Sequence, residues 1–196
     1  MLTIAVEGTS DEAIIRRICA SLNIPIGDVY GFRGKNYLDT CLAGYNNAAN
    51  YAPWLILRDL DNDADCAPDL CRILLPSPAP MMSLRIVVRS IEAWLMADQD
   101  HLAQYLGISR QRIPSNPEGI DNPKQFLVNL ARRSRKRDII QDMVPQPGIS
   151  NSVGPGYNLR LTEFSANYWD PMLAAKNADS LQRCIDALQR LARLMK

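Results

Sequence analysis

Pro53-Trp54-Leu55-Ile56-Leu57-Arg58-Asp59-Leu60-Asp61-Asn62-Asp63 opens with an unbroken apolar run and closes in acid. A strand with one wet face alternates apolar and polar residues. The continuous run Trp54 to Leu57 instead reads as a strand covered on both sides, as in a parallel sheet between helices. Arg58 is read as the start of a polar loop. Working outward, Met1 to Val6 is a short strand ending in Glu7 and broken at Gly8. A helix follows, with Ile14, Ile15, Ile18 and Leu22 at helical spacing. Thr9 with Glu12 predicts a capping box at its start, and Asn23 and Pro25 predict its stop. A weaker strand near Val29 to Phe32, a Gly34-Lys35 turn and an alanine-rich helix from about Tyr37 to Asn50 lead into the central run. A short helix near Pro68 to Leu74 and a buried strand at Leu84 to Val88 come after it.

This alternation predicts an α/β fold, a mostly parallel Rossmann-like sheet with helices on both faces, over residues 1–100. From Ser90 the pattern turns helical, over Ile91 to Leu106, Pro123 to about Met143 and Ser180 to Lys196. Residues 101–196 are therefore expected to form a helical extension packed on the core. A Pro/Gly-rich loop at 145–157 interrupts it, of a length that is usually functional in a compact domain.

Composition narrows the class. A chain of 196 residues, 47% apolar, holds one ordinary core or a core with a small lobe. Its formal charge of +1 argues against a basic nucleic-acid coat protein. No apolar run approaches the roughly 18 to 20 residues needed to cross a bilayer. The opening MLTIAVEG has neither a basic segment nor a cleavage site, so a cytoplasmic protein without a membrane partner is expected. Five cysteines without CxxC spacing and a single histidine speak against a disulfide framework or a zinc ribbon.

Ligands of open α/β sheets collect at the carboxyl ends of the strands, and here those ends carry acids. Glu7 follows the first strand, with Asp11 four residues on, and Asp59, Asp61 and Asp63 follow the central one. In an extended segment Asp59 and Asp61 would project to one side, about 6 to 7 Å apart. Several carboxylates at one edge call for a compensating cation, and an oxygen-only donor set points to Mg²⁺ or Mn²⁺. A solvated acidic loop with Asx-turns accounts for the Asp pattern alone equally well. An EF-hand does not, because Ala64 stands where its glycine is needed and Leu70 where its glutamate is.

The combination Val6-Glu7-Gly8-Thr9-Ser10-Asp11, followed about fifty residues later by a hydrophobic strand and Asp59-Leu60-Asp61, resembles the Toprim domain, most closely that of OLD-type (overcoming lysogenization defect) nucleases. The whole chain also resembles a bacterial family of stand-alone Toprim-like proteins encoded beside ATPases. That second likeness rests on Arg89-Ser90-Ile91-Glu92-Ala93-Trp94-Leu95-Met96-Ala97-Asp98 and Val153-Gly154-Pro155-Gly156-Tyr157-Asn158. The resemblance implies a Mg²⁺- or Mn²⁺-dependent nuclease acting on DNA or RNA, with two metal ions and an ATPase partner, in phage defence. Glu7 would be ligand or general base, Asp59 and Asp61 would hold the first metal, and Asp11 would help hold a second. Self-association stays open.

One feature departs from the OLD pattern. Its further lysine motif has no counterpart, since the lysines after Lys35 are only Lys124, Lys136, Lys176 and Lys196. The alternative is therefore a non-catalytic Toprim-like module lending a metal or nucleic-acid site to an ATPase complex. A haloacid-dehalogenase-type phosphatase, which also reads DxD after a strand, wants Thr or Val where Asp63 stands.

Other residues have two readings each. Lys35 either neutralises phosphate in catalysis or is an ordinary surface lysine. Asp63 is a candidate additional ligand. Arg89 and Glu92 share a helical face and either reach the acidic edge, as phosphate contact and ligand, or pair with each other. Arg132, Arg133, Arg135, Lys136 and Arg137 are read on a helix, as a solvated face or as a track for a nucleic-acid backbone. Trp94 and Leu95 are expected in the core, and His101, without an acidic neighbour in the pattern, on a helix surface.

Overall fold

The computed structural model describes residues 1–148 and 150–195. Ile149 of the expected 145–157 loop and Lys196 at the end of the expected last helix lie outside the described residues. The chain divides into two units, one made of Met1–Val88 with the C-terminal stretch from Asp179, the other of Arg89–Ala178. The helix at the C-terminus thus belongs with the sheet, and the helical unit is inserted after residue 88.

The first unit carries β1 (Leu2–Val6), α1 (Thr9–Ser21), β2 (Ile26–Gly31), α2 (Gly34–Ala48), β3 (Trp54–Asp59), α3 (Ala67–Leu74) and β4 (Met82–Val87). All strands are parallel, in the order β2-β1-β3-β4. Ala5, Trp54, Ile56, Leu84 and Ile86 face Leu38 and Leu42 of α2 and Leu70 of α3 in one buried cluster. Trp54 stacks on Tyr45 of α2 with ring centroids 4.9 Å apart. The alternate residues, Leu55, Leu57 and Val87, are buried on the opposite face. Arg85 shares that second face and donates to the Arg183 carbonyl of the C-terminal helix, so the unit covers both sides of its sheet, as the apolar run of β3 required.

β2 begins earlier than the pattern suggested and stops at Gly31. There φ is +107°, and a Cβ would lie 2.0 Å from the Val6 carbonyl oxygen, so only glycine fits. The start of α1 is also shifted. Gly8 is the N-cap, and Asp11 rather than Glu12 reaches back, its Oδ2 accepting from the Gly8 N–H at 2.7 Å. Glu12 instead pairs with Arg16 at 2.8 Å.

The second unit is helical: α4 (Ile91–Ala97), α5 (Gln99–Leu106), α6 (Pro123–Ala131), α7 (Arg137–Met143), α8 (Tyr157–Asn167) and α9 (Pro171–Ala174). Trp94 and Leu95 are fully buried in it. The expected helix 91–106 is interrupted at Asp98, whose buried carboxylate accepts from the Asp170 N–H and holds His101 Nδ1, both at 2.8 Å. The expected helix 123–143 is likewise two helices. In their connection the Ser134 hydroxyl bonds to the Leu106 carbonyl and accepts from the Lys136 N–H at 2.9 Å, which holds the chain out of helical geometry. The chain then returns to the sheet unit as α10 (Asp179–Leu194). No described helix is long and apolar enough to cross a membrane.

Candidate functional site

α1 and α3 leave the neighbouring strands β1 and β3 toward opposite faces of the sheet, because right-handed crossovers run from β1 out to β2 and from β3 out to β4. Such a switch point opens a crevice at the carboxyl ends of the two strands. Glu7 stands there, one residue past β1, and Asp59 closes β3. Their register brings the Asp59 N–H within 2.9 Å of Glu7 Oε1. Glu7 is largely buried, its side chain 18% exposed. Burial and the negative charges of Asp11 and Asp61 outweigh the Asp59 N–H and the Arg58 guanidinium, pushing its pKa up to about 7.

The acidic loop is cross-linked by two cations. Lys35 Nζ lies 2.8 Å from Asp61 and 3.0 Å from Asp63. Arg58, only 3% exposed, reaches Asp63 at 2.6 Å, Asp39 at 3.1 Å and Glu7 at 3.9 Å. Its guanidinium also donates to the Asp59 carbonyl. Lys35 and Asp39 are one helical turn apart on α2 and present ammonium and carboxylate from the same face. Donation to the Asp61 carboxylate, and to that of Asp63, raises the Lys35 pKa. Burial works to raise the Asp63 carboxyl, but Lys35 and Arg58 hold it below its ordinary value.

Glu7, Asp11, Lys35, Asp59, Asp61 and Asp63 all belong to the sheet unit. Asp59 and Asp61 do not continue one extended segment: the strand ends at Asp59, and Asp61 has φ +48°, a left-handed turn that Asp tolerates. Oxygen donors alone fit a hard divalent ion in chemistry. Among the described residues, however, no three of His, Cys, Asp and Glu form a group able to hold one, and Lys35 and Arg58 supply the positive charge.

Glu92 lies in the helical unit, 2% exposed, accepting from Ser90 Oγ at 2.7 Å and the Tyr157 hydroxyl at 3.1 Å, with Lys124 Nζ at 4.0 Å. Burial and this carboxylate raise the Tyr157 pKa far above the usual phenol range. Arg89 opens the same unit, one residue before the N-cap Ser90 of α4. Arg132, Arg133, Arg135 and Lys136 occupy the α6–α7 connection and Arg137 starts α7, so the expected basic helix is an exposed turn. Lys136 Nζ caps α5 by donating to the Gln104 and Tyr105 carbonyls, at 3.1 and 2.8 Å.

Arg58 and Asp39 were not legible as site residues in the sequence. The available signal was a charge at position 58 that keeps the alternation of Trp54 and Ile56, and an acid one turn after Lys35.

A four-stranded parallel sheet clad by helices on both faces, with a C-terminal helix added, is a Toprim-like α/β fold. A solved structure of the same fold is the C-terminal region of the Burkholderia pseudomallei OLD protein. It is 15% identical, aligns over 97% of this chain and 98% of that chain, and has a TM-score of 0.50. No protein-family model and no curated protein matches the sequence.

Proposed function

We propose that the chain is a Toprim-type nuclease, or the nuclease subunit of a complex, hydrolysing phosphodiesters of DNA or RNA with Mg²⁺ or Mn²⁺. The observation that carries this reading is the pairing of Glu7 with Asp59 across β1 and β3, at the switch point of the sheet. On the family resemblance Glu7, Asp59 and Asp61 are assigned to the ion and Asp11 to a second, which requires these carboxylates to close in and Lys35 to release Asp61. When bound, the metal would lower the pKa of a water and shield the phosphate. A carboxyl with a pKa near 7 suits a general base, being able to take a proton at neutral pH and release it again. The Asp59 N–H fixes the orientation of that carboxyl. Lys35 would hold Asp61 and Asp63 in place and offer its charge to phosphate. The likeness to an OLD protein region supports this at the level of fold. The ATPase partner and the role in phage defence rest on the family resemblance alone.

Purified protein with Mg²⁺ or Mn²⁺ should cut plasmid, single-stranded DNA or RNA, and Asp59→Ala should lower the rate at least tenfold. Cutting that survives Asp59→Ala overturns the assignment. The second reading, a non-catalytic module of an ATPase complex, is favoured by the cations that already bind Asp61 and Asp63. Absence of cutting under all these conditions, with nucleic-acid binding retained, would decide for it.

A further inference from the structure

We propose that the β2–α2 connection, Phe32-Arg33, with Gly34, Lys35 and Tyr37 of the first turn of α2 behind it, is a platform on which a base of a single-stranded nucleic acid stacks beside Glu7. This rests on the nuclease-type reading and adds to it the strand form and the side of approach. The loop is fastened to the strand that carries Glu7. The Phe32 N–H donates to the Val6 carbonyl at 3.2 Å and the Gly34 N–H to the Glu7 carbonyl at 3.0 Å. Gly31 lets the chain cross the end of β1 in direct contact with its backbone.

Nothing in folding asks for phenylalanine at position 32. Its φ is +65°, the left-handed region that glycine or asparagine occupies at lower cost. The residue is 41% exposed and stands outside the buried core. Next to it the Arg33 guanidinium lies 4.4 Å from the centroid of the Tyr37 ring. Stacking engages the face of the guanidinium and leaves its N–H edge to bind an anion. Among the described residues Arg33 has no salt bridge with an acid. An exposed aromatic ring between strand end and cation is the chemistry of single-strand binding, because every base has a π-face and duplex bases are already stacked.

The charge on the two sides of the crevice sets the direction. Past Asp63, on the α3 side, the groove is lined by Asn62, Asp63, Asp65, Asp69, Arg72 and Ile73, with Arg72 neutralised by Asp69. That side repels phosphate. The β2 side offers Arg33, while Lys35 is held by Asp61 and Asp63, so the strand passes over β2 on its way to Glu7.

The test is fluorescence anisotropy of a labelled oligothymidylate, and of a duplex as control, with EDTA present to prevent cutting. Phe32→Gly should weaken single-strand binding by about 5- to 100-fold, the size of one lost base stack. Phe32→Trp should preserve it, and duplex binding should not change. Glycine relieves the left-handed backbone, so an unchanged or higher Tm will show that the fold is intact. If the wild type binds or cuts nucleic acid and Phe32→Gly does so equally well, this inference alone is overturned, as it is by equal losses on duplex and single strand. A wild type that neither binds nucleic acid in EDTA nor cuts it with Mg²⁺ overturns the nuclease reading and the platform together, and one that cuts with Mg²⁺ but binds no single strand in EDTA overturns the platform alone. Selective single-strand binding without cutting upholds the platform and removes only the hydrolysis.

Discussion

Glu7→Gln is expected to stabilise the metal-free protein by about 3 kcal/mol at pH 8 while abolishing hydrolysis. The Glu7 carboxyl has an ordinary pKa of 4.5 in the unfolded chain and about 7 in the fold. Between those values the folded state retains a proton that the unfolded state has released, so stability falls as pH rises through this window. A separation of about 2.5 pH units at 1.36 kcal/mol each gives roughly 3 kcal/mol of stability that is present below pH 4.5 and gone above pH 7. Burial is the largest cause and sets the sign; Asp11 on α1 and Asp61 in the loop add to it by opposing the charge of Glu7, while the Asp59 N–H and Arg58 from β3 favour that charge. Glutamine has the same shape and still accepts from Asp59, but never ionises. Urea unfolding in EDTA at pH 5 and pH 8 reads the difference. At pH 8 the variant should melt about 6–12 °C higher, at the usual scaling for a chain of this size. Adding Mg²⁺ should recover much of that gap for the wild type and little for the variant. A wild type equally stable at both pH values would show that Glu7 is not held against its charge. Higher stability with lost cutting is the combination a general base or metal ligand gives, and a purely structural glutamate does not.

The sheet was legible because its signals are local. The apolar runs of β1, β3 and β4 and the breaks at Gly8 and Gly34 place the strand ends, and the strand ends place Glu7 and Asp59. What was not legible depended on side chains meeting at a distance. Asp98 interrupts the 91–106 helix without a proline or glycine, because its carboxylate holds the Asp170 N–H, 72 residues away, and His101. The stretch from Arg132 to Lys136 has good helix formers, yet Ser134 holds it as a turn by bonding to the Leu106 carbonyl. Helix α8 was readable in principle, since Tyr157, Leu161 and Phe164 recur at helical spacing and are buried. The Pro/Gly-rich segment before it masked that pattern. At the site, the acids could be read as a group and Lys35 as a candidate, but Arg58 and the bridges that both cations make could not. Lys35 and Arg58 are 26 and 5 residues from Asp61 and Asp63 in sequence, and only the packing of α2 against β3 brings them to one place.

Arg58→Ala should cost about 3 to 5 kcal/mol, the usual consequence of removing one partner from a buried ion pair. The guanidinium is 3% exposed and spans carboxylates from three different segments: Glu7 after β1, Asp39 on α2 and Asp63 in the loop. Its loss leaves those charges facing one another with only Lys35 nearby. Arg58→Lys should recover less than half of the loss, because a single ammonium cannot reach Asp39, Asp63 and the Asp59 carbonyl together. Salt separates this network from surface pairing: 0.5 M NaCl, roughly a 4 Å Debye length, should barely change the cost of Arg58→Ala, since the charge is dry. The half-exposed Lys35 pairs should be weakened by the same salt, and Lys35→Ala should cost no more than about 1 kcal/mol. A double-mutant cycle of Arg58→Ala with Asp63→Asn, followed by urea unfolding, should show coupling of about 1 to 3 kcal/mol. Additive losses would mean that Arg58 packs against α2 without organising the acidic loop. Coupling of the expected size makes it the positioning residue that ties Asp63 of the loop to the end of β3. The loss of Arg58 should then also shift the Glu7 titration upward, because the one cation that favours its ionised form is gone.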